Sequence, residues 1–140
     1  MKILFTGGGT GGHFYPIIAI AEAISDIVEK EHLVAPRLYY VAPDPYDASL
    51  LRELSIEFRK TPAGKIRRYL SVLNVIDLIK TAAGIIKSVF LLYSIFPDIV
   101  FSKGGYASFP VVVAARILGI PVFVHESDSK PGRANQFAGK

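Results

Sequence analysis

The first thirteen residues, Met1 to His13, read MKILFTGGGTGGH, and they leave few folds open to the chain that follows. A short apolar run, Ile3-Leu4-Phe5, enters a stretch in which Gly7, Gly8, Gly9, Gly11 and Gly12 surround Thr10, and His13 closes it. Phe14-Tyr15-Pro16 then opens an apolar segment patterned as a helix. The order is strand, glycine-rich turn, helix. Such a turn brings unpaired backbone amides and the positive end of a helix dipole to one point, where a phosphate fits. Side chains would block that approach, and some positions call for a positive φ, which glycine supplies.

The remainder of the chain repeats the alternation. Residues 2–6 form a buried strand, and 14–31 a helix with Ile17, Ile18, Ala21, Ile24 and Val28 on one face. Pro16 falls in its first turn, where a missing N–H costs nothing. A second strand at 38–41 ends in the Pro43-Asp44-Pro45 turn. A short helix at about 47–54, a strand at 56–59 and a loop at 61–65 follow. Residues 66–96 are mostly helical, with charges only at Arg67, Arg68, Asp77, Lys80 and Lys87. After Pro97-Asp98 come a fourth strand at 99–101, a loop at 102–108, a helix at 109–118, and a fifth strand at 121–124 that finishes at His125-Glu126. Residues 127–132 are loop and start another helix.

Apolar strands alternating with helices predict an α/β fold, a Rossmann-like parallel sheet with helices on both faces and right-handed crossovers. With no internal repeat and no low-complexity linker, residues 1–140 are expected to be one domain. The last residues, Gln136 to Lys140, stop just after a helix begins, as expected of a fragment.

Composition removes several function classes. There is no cysteine, hence no disulfide frame and no thiolate metal site. His13, His32 and His125 are widely separated, which argues against structural zinc. The net charge of +4 suits an anionic partner, whether phosphorylated substrate or acidic lipid. Nucleic-acid binding has only that charge behind it, with no aromatic platform or basic recognition helix. No signal peptide is evident, and no stretch reaches the roughly 18 uncharged apolar residues of a spanning helix. The cytoplasm is the default location.

In a sheet of this kind ligands bind beyond the carboxyl ends of the strands. Three strands end in loops of unusual chemistry: residues 7–13, 102–108 and 125–135. With strand order 3-2-1-4-5, all three border one crevice. Gly7, Gly9 and Gly12 match the dinucleotide pattern G-x-G-x-x-G, but Ala42-Pro43 follows the second strand where a ribose-binding acid belongs, and Asp44 lies far on. An NAD-linked oxidoreductase is disfavoured accordingly. The nucleotide P-loop fails as well, because His13-Phe14 stands where Lys-Ser/Thr is required. Plainer alternatives remain open for single residues. The glycines could merely permit tight packing, Thr10 could bond its own backbone, and Ser108 could simply cap the next helix. At His13 the helix dipole disfavours an imidazolium, which keeps the ring available as a base. Glu126 reads equally as a base, an acceptor for a sugar hydroxyl or a structural carboxylate.

Gly8-Gly9-Thr10-Gly11-Gly12-His13, then Lys103-Gly104-Gly105-Tyr106-Ala107-Ser108-Phe109-Pro110, then His125-Glu126-Ser127-Asp128 with Pro131-Gly132 and Asn135, stand in an order and spacing that closely resemble the MurG-like glycosyltransferases of family 28. These are bacterial enzymes that add N-acetylglucosamine to lipid I to make lipid II. The resemblance spans the whole chain. It departs at Ser127-Asp128, where the family shows Gln-Asn, and at Ser108-Phe109-Pro110, where it shows Ser-Gly-Pro.

The resemblance implies a GT-B glycosyltransferase of two Rossmann-like domains, with this chain as the N-terminal, acceptor-binding half. The half that holds most of the UDP-sugar is then supplied in cis or in trans. UDP-GlcNAc and lipid I (undecaprenyl-diphospho-MurNAc-pentapeptide) are the implied substrates, with no cofactor and no bound metal. The implied reaction is a single displacement with inversion, with His13 the first candidate for the base and Glu126 the second. Gly11, Gly12, Gly104, Gly105 and Tyr106 would line the acceptor diphosphate pocket. Thr10, Ser108, Asp128 and Asn135 complete the implied substrate-binding set. Peptidoglycan synthesis at the cytoplasmic face of a bacterial membrane is the implied setting.

Residues 65–96 bear on that setting. Lys65, Arg67 and Arg68 precede a largely apolar helical stretch, a pattern that suits an anionic membrane surface as well as an ordinary core helix with a solvated start. An alternative function is a non-catalytic membrane-recruiting subunit of a split lipid-linked GlcNAc transferase.

Overall fold

The computed structural model describes residues 1–64 and 73–126, with side chains from residue 76 onward in the second stretch. The elements are β1 (Lys2–Gly7), α1 (Gly11–Lys30), β2 (Arg37–Ala42), α2 (Ala48–Glu53), β3 (Ile56–Lys60), α3 (Leu73–Ile95), β4 (Ile99–Gly104), α4 (Phe109–Ile117) and β5 (Val122–Val124). The five strands form one sheet in the order β3-β2-β1-β4-β5, and every pairing is parallel. This is the order that sets the ends of β1, β4 and β5 beside one another.

Alternation along the strands builds a core on each face. In β1, Ile3 and Phe5 point to one side and Leu4 to the other, as the two-residue period of a strand requires. The first side joins Leu38, Tyr40 and Ala42 of β2 to Phe14, Ile17, Ile18 and Ala21 of α1 and Leu51 of α2. The second joins Tyr39, Val41 and Val100 to Leu92 and Ile95 of α3 and to Val111, Ala114 and Ala115 of α4. Because both faces are covered, the central strands carry apolar residues on both sides, Ile3-Leu4-Phe5 in β1 and Leu38 to Ala42 in β2.

Among the described residues two boundaries differ from the sequence expectation by more than one residue, at the start of α1 and the end of β4. α1 starts at Gly11, three residues before the predicted start, so Gly11, Gly12 and His13 are its first turn and Thr10 its N-cap. Glycine's low helix propensity, a cost of about 1 kcal/mol in a helix interior, masks this helix start. β4 continues through Ser102-Lys103-Gly104, which the sequence assigned to loop. Thr6 pairs with Ser102 and Gly7 with Gly104, leaving Lys103 as the extra residue of a bulge.

α3 carries a further difference. No segment was expected to be long and apolar enough to cross a membrane. By length and composition alone Ile76–Ile95 is, as the one such helix among the described residues.

Candidate functional site

The loops after β1 and β4 lie side by side because their strands do, and His125-Glu126 follow β5 on the far side of β4. The first two interlock. Gly9 has φ 92°, and a Cβ there would stand 2.6 Å from Tyr106 Cε1, so the tyrosine ring lies across the glycine. Gly105, at φ 81°, fits between the Gly8 carbonyl, 3.0 Å from where its Cβ would be, and the His13 ring, whose Cδ2 and Nε2 lie at 3.3 and 3.4 Å from the same point. These glycines are therefore required by contact as well as by backbone geometry.

His13 is the third residue of α1, half-buried, with Nδ1 2.8 Å from Thr10 Oγ1. The Thr10 hydroxyl is thus not spent on its own backbone, and it makes no capping bond. Ser108 takes the N-cap position of α4 without capping it. Its buried side chain donates to the Gly105 carbonyl at 2.9 Å and fixes the second loop from beneath. Gly104 is steadied in the same way, its amide donating to Ser102 Oγ at 3.2 Å. The third loop continues the sheet for one more bond, from the His125 amide to the Ser102 carbonyl at 2.9 Å. The His125 ring tilts over Phe101, and Glu126 follows, half-buried. Asp128 and Asn135, with Ser127, Pro131 and Gly132, lie outside the described residues.

The sequence overlooked several residues. Tyr40, fully buried in β2, donates its phenol to the Gly7 carbonyl at 2.6 Å and so holds the glycine loop from below. A tyrosine amid apolar strand residues was the available signal. Burial above all, with the Asp44 carboxylate and Tyr106 nearby, pushes the Tyr40 phenol well above its usual range. Burial and Asp44 raise Tyr106 too. Both phenols stay protonated at neutral pH. Asp44, set aside as a ribose ligand, accepts from the Tyr46 amide at 3.1 Å. The Tyr46 hydroxyl comes within 2.8 Å of where a Gly11 Cβ would be. Among the described residues no group of three or more His, Asp or Glu side chains could hold a metal ion.

α3 has its polarity reversed. Its inward stripe is Thr81, Gly84, Ser88, Leu92 and Ile95, and its upper part is small and polar. The Thr61 hydroxyl reaches the Gly84 carbonyl at 3.4 Å and Ser88 Oγ at 3.2 Å, and the Gly64 amide donates to Thr81 at 3.2 Å. Pro62 crosses so close to Gly84 that a Cβ there would strike its carbonyl. Leu92 and Ile95 reach the core, but several large apolar side chains face outward: Ile79, Ile86, Phe90 and Tyr93 are each at least 60% exposed. Lys80 and Lys87 are exposed beside them. Lys65, Arg67 and Arg68 lie outside the described residues.

Comparison with known proteins agrees with this layout. The glycosyltransferase family 28 N-terminal domain matches residues 3–140. A Treponema denticola protein is 45% identical across 99% of the chain, which corresponds to 36% of that protein. One from Legionella pneumophila is 43% identical across 98%, again 36% of its own length. Both are named UDP-N-acetylglucosamine–N-acetylmuramyl-(pentapeptide) pyrophosphoryl-undecaprenol N-acetylglucosamine transferase. The chain therefore spans little more than a third of these relatives. The crystal structure of Acinetobacter baumannii MurG superposes with a TM-score of 0.75 at 23% identity, over 99% of this chain and 38% of that one, and so shares the fold.

Proposed function

We infer, for a chain that belongs to glycosyltransferase family 28 as its N-terminal domain, that it binds the acceptor in an enzyme moving N-acetylglucosamine from UDP-GlcNAc to undecaprenyl-diphospho-MurNAc-pentapeptide. The observation that carries this reading is the interlock of the two glycine loops against His13. It places a helix N-terminus, a second glycine turn and an imidazole around one crevice. The acceptor diphosphate lies against Gly11 and Gly12, where first-turn amides lack helical partners, and against Gly104, Gly105 and the protonated Tyr106. Held there, the acceptor presents its 4-hydroxyl to His13. The base takes that proton, the oxygen bonds to the anomeric carbon of GlcNAc, and the bond to UDP breaks with its electron pair leaving on the phosphate. Glu126, at the end of the neighbouring strand, accepts from a sugar hydroxyl and is the second candidate for the base.

The enzyme works at the cytoplasmic face of a bacterial membrane. The outward apolar face of α3 supports this placement, since a lipid-linked acceptor is reached from the membrane surface and exposed Ile86, Phe90 and Tyr93 suit interfacial burial. Lys65, Arg67 and Arg68 add attraction to anionic lipid.

Fusing the chain to the remaining part of the Treponema relative tests the reading. Transfer of GlcNAc to a lipid I analogue is expected from the fusion and none from the 140-residue chain alone. A folded fusion without transfer, or robust transfer by the chain alone, would contradict it.

A further inference from the structure

Tyr46 stands in the turn between β2 and α2 with a φ of 56°, a region that a tyrosine enters only at a cost. The Asp44 carboxylate holds it there by accepting from its amide at 3.1 Å. The Tyr46 ring packs against Phe14, with centroids 4.9 Å apart, and meets the Tyr15 ring nearly edge to face at 5.9 Å. The side chain is thus braced on two sides, yet the residue remains 48% exposed. Among the described residues its hydroxyl has no hydrogen-bond partner. None of the ring contacts needs that hydroxyl, so packing accounts for a phenylalanine here and not for a tyrosine.

Gly11 shows where the hydroxyl lies. Its φ is not positive, so backbone geometry does not call for glycine, which is a poor helix former. What excludes a side chain is the pair of tyrosines: a Cβ at Gly11 would stand 2.8 Å from the Tyr46 hydroxyl and 3.1 Å from Tyr15 Cε2. Gly12, in the same turn, has nothing nearer than Thr10 Oγ1 at 3.8 Å from the same construction. The first residue of α1 is therefore kept bare where the phenol of Tyr46 closes on it. We propose that Tyr46 is a further contact for the acceptor, its phenol donating to an oxygen of the diphosphate that lies against Gly11 and Gly12. This rests on the function proposed above. A phenol donates without ionising, and a hydrogen bond to a charged acceptor is the stronger kind. Phe14 and Asp44 act through Tyr46 as positioning residues, one fixing its ring and the other its backbone.

Titration of the ¹⁵N-labelled 140-residue chain with inorganic pyrophosphate, followed at the Gly11 and Gly12 amides, tests this when repeated on Tyr46→Phe. That substitution keeps the ring against Phe14 and Tyr15 and removes the hydroxyl alone. Pyrophosphate is expected to shift both amides in the unaltered chain, and Tyr46→Phe to weaken its binding about tenfold or more. In the fusion enzyme Tyr46→Phe should raise KM for a lipid I analogue by a similar factor, with the loss carried by KM and not by kcat. Equal pyrophosphate affinity of the two chains overturns the inference about Tyr46 and leaves the acceptor reading standing, and so does an unchanged KM. Pyrophosphate that shifts neither amide in the unaltered chain overturns both.

Discussion

The Tyr106 ring lies across Gly9 so closely that a methyl group on the glycine would come within 2.6 Å of Cε1. Since Gly9 also sits at φ 92°, Gly9→Ala meets both a steric and a backbone penalty. It should destabilise the domain by about 1–3 kcal/mol in urea unfolding. In a Tyr106→Ala background the steric part disappears, so the two substitutions should show a coupling of about 0.5 kcal/mol or more. Strict additivity would mean that the loops do not touch as described.

Tyr40→Phe keeps the ring packed between Phe14 and Phe58 and removes only the donor to the Gly7 carbonyl. A buried carbonyl left without its partner costs about 1–3 kcal/mol. The expected loss in unfolding free energy lies in that range, and a neutral substitution would mean another donor replaces the phenol.

Acid should reveal Asp47, the N-cap of α2. The Ser49 hydroxyl, then the Leu50 and Ser49 amides and Arg52, hold its carboxyl below the usual carboxylate range. A carboxyl depressed in the folded state adds stability that is fully present above the unfolded value, about pH 4. That stability is lost as pH falls through the folded value. Asp47→Asn removes the titration, so melting temperature followed from pH 6 down to about pH 2 should fall less steeply than in the unaltered chain. Parallel curves would contradict the assignment.

The outward face of α3 predicts separable effects on membrane binding and stability. Burying such a side chain fully is worth about 1.5–3 kcal/mol, and 1.4 kcal/mol is a factor of about ten. Ile86→Ser with Phe90→Ser should therefore weaken co-sedimentation with anionic liposomes about tenfold or more, while unfolding changes by about 0.5 kcal/mol or less. Arg67→Glu with Arg68→Glu should weaken it further at low salt. Unchanged binding in both pairs would remove the membrane face.

The alternation of strand and helix was legible because central parallel strands are short, largely apolar and bounded by glycine and proline, whereas strand order is a property of how strands pair and not of any one strand. The start of α1 was not legible, because Gly11 and Gly12 have poor helix propensity, and only Gly11 is tightly packed, against the Tyr46 hydroxyl. Lys103 was hidden by its bulge, a register property of two strands and not of one. Tyr40 read as core because a strand pattern reports burial and not where a hydroxyl points. The reversal of α3 was equally hidden. Its outward Ile79, Ile86 and Phe90 are as apolar as any core residue, and only the small stripe of Thr81, Gly84 and Ser88 against residues 61–64 tells the two faces apart.

The central claim is that His13, set between the glycine loops, takes the acceptor proton. Its most direct test is the transfer rate of the His13→Ala fusion enzyme with a lipid I analogue. A loss of about two to four orders of magnitude is predicted, with acceptor binding retained. A loss of less than about threefold, well short of what a general base contributes, would contradict it.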